Sequence, residues 1–220
     1  MERHPLHDFA PIGLFLAVPL LLGIIQSQLP PTFYPWVQGL PQFAKCLIAP
    51  FVSYGWPFFA SNLKAYAILA PALLLMAGKD GISTVSKQFL LALALVPLLT
   101  ALLKTGLGMQ STGLGLSGVV FALLGIITVY FVGEVARHPS RKTRGILAGI
   151  ALLVVVPLLV PPVTVLGDGR TFYTDVVGHW CGWLAGLGAG AIVPMEEARH
   201  PWIGALVLAY FAVAALPMVL

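Results

Sequence analysis

Residues 115–125 read Gly115-Leu116-Ser117-Gly118-Val119-Val120-Phe121-Ala122-Leu123-Leu124-Gly125, and the apolar run they open continues to Val135. About 20 mostly apolar residues are what an α-helix needs to cross the hydrocarbon layer of a bilayer. The stretch therefore reads as a membrane span with a serine in its first turn. Working outward, runs of the same kind cover Phe9–Ser27, Pro57–Ala77 and Gln88–Thr105 before it, and Arg144–Val160, Thr174–Pro194 and Pro201–Val219 after it. Pro30-Pro31, Gly78-Lys79-Asp80-Gly81, Gly106 to Gly113, Arg137 to Lys142, Pro161 to Arg170 and Glu196 to His200 separate them as loops. The fold class expected is all-α: a polytopic transmembrane helical bundle.

Composition agrees. Of 220 residues, 59% are hydrophobic and 9% charged, and mean hydropathy is +0.94; soluble domains carry about a quarter charged residues. The net charge of +4 comes from basic residues scattered among apolar runs, without the aromatic-interleaved patch of a nucleic-acid surface. No nucleic-acid partner is expected. Cys46 and Cys181 are the only cysteines, so neither a disulfide framework nor a thiolate metal site is supported. The run from Phe9 to Ile25 lacks a small-residue cleavage site and reads as a first span rather than a secretory leader. Thr32 to Gly55, broken by prolines and carrying Tyr34, Trp36 and Phe43, reads as an interfacial, partly re-entrant loop, or as an ordinary external loop.

Charge bias orients the chain. With a cytoplasmic amino terminus, Arg3, Lys79, Lys87, Arg137, Arg141, Lys142, Arg144 and Arg199 lie inside, and only Lys45, Lys64, Lys104 and Arg170 lie outside. Spans two, four and six then all run inward from the outer face. Asn62, Ser117 and His179, each in the first turns of one of these spans, fall at similar depth where water can reach them.

His179 is the only histidine within an apolar span, and intramembrane ionisable groups are functional by default. On a helical wheel it lies about 60° from Gly182 and about 20° from Gly186. Gly178, Gly182, Gly186 and Gly190 recur every fourth residue, and span four offers Gly118, Ala122 and Gly125. Such stripes let helix axes approach closely, as a hydrogen bond from a serine hydroxyl to a neutral imidazole acting as general base requires. The plainer readings are a serine bonded back to its own helix and glycines that only pack. Asp175, four residues before His179, could orient the imidazole but better suits a helix amino-terminal cap. That leaves a Ser–His dyad without an obligatory acid.

Gly115-Leu116-Ser117-Gly118 opening span four, and His179 with Gly182 and Gly186 opening span six, resemble the rhomboid family of intramembrane serine proteases. The resemblance covers spans one to six. It implies Ser117 as nucleophile, His179 as base and then acid, Phe121 as the surface on which the imidazole packs, and an oxyanion hole from the Ser117 N–H and the Asn62 side chain. Asn62 is carried over from Phe51 to Leu63, which resembles the family's entry to span two. There Ser53 and Phe58 stand at two positions where the family has histidines, and Phe58 cannot donate a hydrogen bond. The first loop has Trp36-Val37 where the family often has Trp-Arg.

The expected activity is a serine endopeptidase that cleaves transmembrane segments of other membrane proteins in the lipid bilayer, with no metal or cofactor. Residues 1–194 would form the six-helix catalytic core and 195–220 one additional carboxy-terminal helix. The localisation expected is a multi-pass protein of a membrane, a prokaryotic plasma membrane by the absence of an added soluble domain. Phe58 motivates a rival, a rhomboid-like pseudoprotease that binds membrane proteins without cleaving them. A proton-conducting transporter would need a continuous polar path, and spans one, three and five offer almost no polar residues.

Overall fold

The computed structural model describes residues 6–30, 32–53, 55–109, 113–137, 140–143, 164–165, 171–172 and 175–194, with single positions at 145, 149, 203 and 206. Helix α1 spans Leu6–Gln28. Two short helices follow, α2 over Phe33–Gly39 and α3 over Gln42–Ile48, and a 3-10 turn, Ala49–Phe51, completes the first loop. The long α4 runs over Trp56–Gly106, α5 over Ser117–Arg137 and α6 over Val176–Ile192. Two-residue strands at Thr164–Val165 and Thr171–Phe172 pair antiparallel in the loop expected between spans five and six. The all-helical membrane architecture read from the sequence is the one observed.

Helix α4 is two spans joined by a hairpin. Its one non-helical residue is Gly78, at φ 63° and ψ 178°, a conformation that costs glycine little and other residues much. The rings of Tyr66 and Phe89 lie 6.1 Å apart across the break, where a straight helix would hold them roughly 35 Å apart. The two arms thus correspond to the expected Pro57–Ala77 and Gln88–Thr105. Helix α1 docks on this hairpin: Phe15 stacks on Phe89 with centroids 4.6 Å apart, and the Tyr66 hydroxyl donates to the Phe15 carbonyl at 2.9 Å.

Leu69, Leu73, Met76, Phe89, Leu123, Ile126 and Ile127 form the buried centre between α4 and α5. Leu16, Leu20, Leu21 and Ile24 of α1, Leu98 and Leu102 of α4, and Leu184 and Ile192 of α6 are exposed. In water such patches would be a liability. In a bilayer they face acyl chains, while the helices satisfy their own backbones. Helices α4 and α5 are each long and apolar enough to cross a membrane, and Ile12–Gln28 with Phe33–Gly39, a pair bent by 102°, is a third candidate among the described residues.

Helices α5 and α6 run parallel, as contacts advance along both chains in the same sense. A Cβ on Gly182 would strike the Gly118 carbonyl, one on Gly186 the Ala122 carbonyl, and one on Gly190 would lie 3.0 Å from Val129 Cγ2. The glycine stripe thus lines the contact between α5 and α6. At the opposite end, fully buried Gln88 donates to the Val193 carbonyl at 2.5 Å and accepts from the Tyr130 hydroxyl, tying α4, α5 and the end of α6 together.

The first loop is more ordered than expected. It is helical rather than irregular, and its anchor is Gln26, in the last turn of α1. The Gln26 amide donates to the Tyr34 hydroxyl at 2.6 Å and accepts from the Ser53 N–H at 3.0 Å. Val37, Cys46 and Ala49 are buried beneath it, while Trp36, Phe43 and Leu47 face outward. Of the expected spans five and seven, Gly145, Gly149, Ile203 and Leu206 alone are described, each in a helical conformation; Ile203 packs against the main core. The rest of Arg144–Val160 and Pro201–Val219 lies outside the described residues.

Candidate active site

Ser117 is the first residue of α5. Two backbone brackets aim the segment before it: the Gly115 N–H donates to the Ala49 carbonyl at 3.0 Å, and the Gly113 N–H donates to Asp175 Oδ2 at 3.1 Å. Gly115 is also where the second helix arrives, since a Cβ there would lie 3.6 Å from Asn62 Nδ2 and 3.8 Å from Ser117 Oγ. Asn62 and Ser117 therefore flank the same glycine. Both are half-buried.

His179 enters from α6. Its imidazole stacks on Phe121, with ring centroids 4.1 Å apart and planes inclined by 22°. Phe121 stands one turn after Ser117 on α5, so the histidine lies over the turn that carries the serine. The absence of side chains between the two helices permits this: Gly118 meets the backbone of Gly178 and Gly182, and Gly125 meets that of Gly186. His179 is 7% exposed, and its Nδ1 has no hydrogen-bond partner. No hydrogen bond joins it to Ser117 Oγ.

Asp175 is the α6 amino-terminal cap anticipated from its position, with Oδ1 accepting from the Gly178 N–H at 3.0 Å. Its other oxygen was not anticipated: Lys104 Nζ lies 2.5 Å from Oδ2, and the lysine is 1% exposed. The carboxylate is thus occupied by a cap, a lysine and the Gly113 amide. It does not orient the imidazole as the acid of a triad does. From the sequence alone, Lys104, at the end of the span Gln88–Thr105, counts only as one of the outer-side charges that orient the chain. The missed signal was a lysine in the last turn of an otherwise apolar span, a position where charge is costly and paired when present.

The two departures at the entry to span two have structural consequences. Ser53 is buried, and its N–H is bonded to Gln26, so this position serves the first-loop anchor. Half-buried Phe58 contributes its backbone carbonyl, which accepts from Asn62 Nδ2 at 3.0 Å. The amide nearest the serine is thus turned onto its own helix. A small cleft lies between the end of the first loop, the second arm of α4 and the starts of α5 and α6, lined by Pro50, Thr100, Gly113, Gly115, Ser117 and Gly178 among others. Among the described residues no cluster of His, Cys, Asp or Glu could hold a metal ion.

Parallel apolar helices that bring a serine and a histidine to one level through glycine contacts define an integral membrane protein with a polar site at one end of its bundle. The rhomboid domain matches this chain over residues 41–196, which takes in the first loop from Pro41, the hairpin, α5 and α6. The chain belongs to the rhomboid family. No curated protein and no solved structure matches it.

Proposed function

We propose that the protein is an intramembrane serine endopeptidase that uses Ser117 and His179 as a catalytic dyad on transmembrane segments of other membrane proteins. The observation that carries this reading is the stacking of His179 on Phe121, one turn from Ser117, at the glycine-lined crossing of α5 and α6. Ser117 Oγ would attack the scissile carbonyl carbon as its proton passes to His179. The tetrahedral intermediate would collapse to the acyl-enzyme as the imidazolium gives its proton to the departing amine, and a water deprotonated by His179 would then hydrolyse the ester and restore the Ser117 hydroxyl. The Ser117 N–H and Asn62 Nδ2 would face the developing oxyanion once the amide leaves the Phe58 carbonyl. A substrate helix must unwind locally to offer its peptide bond, because backbone groups in lipid are otherwise bonded internally.

In this reading residues 1–194 form the catalytic core and 195–220 an additional helix. The amino terminus is cytoplasmic, in a prokaryotic plasma membrane, and the site opens toward the outer face. A second reading, a pseudoprotease that binds membrane proteins without cleaving them, draws on Phe58 at a donor position and on the inward turn of the Asn62 amide. A fluorescent fluorophosphonate separates the two. Labelling of the detergent-purified protein that disappears in Ser117→Ala and His179→Ala supports the protease; a folded wild type that stays unlabelled favours the pseudoprotease.

A further inference from the structure

One carboxylate joins the end of the hairpin, the segment that leads to Ser117 and the first turn of the helix that carries His179. Asp175 Oδ1 accepts from the Gly178 N–H, one residue before His179, and Oδ2 accepts from Lys104 Nζ at the end of α4 and from the Gly113 N–H. Gly113 lies four residues before Ser117, and a Cβ on it would collide with that of Asp175. The nucleophile's approach segment and the first turn of the base's helix therefore rest on the same side chain. Lys104 fixes where that side chain points.

Burying an ion pair is a poor way to gain stability, since a well-packed apolar pair of similar volume often does as well or better. What apolar side chains cannot do is accept from two backbone amides at a defined angle. We propose that Asp175 and Lys104 are positioning residues: they act as a strut that sets the placement of Ser117 relative to His179, without touching substrate. The proposal rests on the protease reading. Misplacement of reacting groups by about 1 Å can cost on the order of 10²-fold in rate, so partial loss of the strut is expected to slow the serine at least about tenfold.

The test measures the rate constant of fluorophosphonate labelling at Ser117 in the full-length protein, together with amide hydrogen exchange over residues 113–118 and thermal unfolding. It compares wild type, Asp175→Asn, and the neutral pair Lys104→Gln/Asp175→Asn, which leaves no uncompensated buried charge. The expected result is folded variants that label about tenfold or more slowly and exchange faster over 113–118. Folded variants that label at the wild-type rate would overturn the strut while leaving the protease reading intact, as would unchanged exchange. Failure of the neutral pair to fold would also overturn it, assigning the pair to stability alone. An unlabelled wild type would overturn the protease reading, and the positioning role with it.

Discussion

Gly182 of α6 packs directly on the backbone carbonyl of Gly118 in α5, with no side chain between the two helices. This contact sets the depth of the crossing at which His179 reaches the turn that carries Ser117. Gly182→Ala would push a methyl group into a backbone atom that cannot rotate away. It is expected to destabilise the bundle by about 1–3 kcal/mol, the usual cost of overpacking, and to abolish serine labelling. At Gly188 an added Cβ meets nothing within 4 Å, so Gly188→Ala should keep or slightly raise the unfolding temperature. Thermal unfolding in detergent checks both. Equal behaviour of the two variants would refute the close-contact account.

The Phe121 ring holds the face of the imidazole, not its nitrogens. Phe121→Leu keeps an apolar side chain at a partly buried position, so the fold should persist while the imidazole loses its flat support. Labelling of Ser117 is expected to fall about tenfold, since rate is sensitive to small displacements of a reacting group. A wild-type labelling rate in Phe121→Leu would show that the stack is incidental.

Phe58 and Asn62 form one unit through the bond from the Asn62 amide to the Phe58 carbonyl. A single oxyanion donor is worth roughly 10²–10³ in rate. Phe58→His supplies a ring N–H one turn before the asparagine and is expected to raise peptidase turnover, whereas Asn62→Ala lowers it. Steady-state cleavage of a reporter transmembrane substrate measures both. If Phe58→His leaves turnover unchanged while Asn62→Ala reduces it, this site does not use a donor at that position.

At the far end of the bundle, Gln88 satisfies the Tyr130 hydroxyl and the Val193 carbonyl from a fully buried position. Gln88→Leu strands the buried Tyr130 hydroxyl, and an unsatisfied buried group costs about 1–3 kcal/mol. Adding Tyr130→Phe removes the stranded hydroxyl, so the double variant should unfold at a higher temperature than Gln88→Leu alone. Strict additivity in this cycle would mean the two side chains are not coupled.

Much of this arrangement was legible from residue type and spacing. Apolar runs of span length dictate helices in a bilayer, because no other open structure satisfies its backbone there. The glycines at every fourth position announced a close contact, because that is read from a helix's fixed geometry, and the lone intraspan histidine marked the candidate site. Asp175 as a cap was local in the same way. Gly78 was read as a loop; the folding back of α4 is visible only in the meeting of Tyr66 with Phe89.

What only the tertiary structure decided were the pairings between residues distant in the chain. Lys104 and Asp175 meet across 71 positions, Gln88 and Val193 across 105, and Gln26 and Ser53 across 27. In a helical bundle, local periodicity says which face of a helix is buried. It does not say which polar group on another helix arrives at the same level, because that depends on tilt, register and hairpin geometry set jointly by the whole core. The class of protein and its candidate dyad were therefore determined by the sequence alone. The Lys104–Asp175 pair, the glutamine anchor of the first loop and the bond from the Asn62 amide to the Phe58 carbonyl became definite only once the helices had packed.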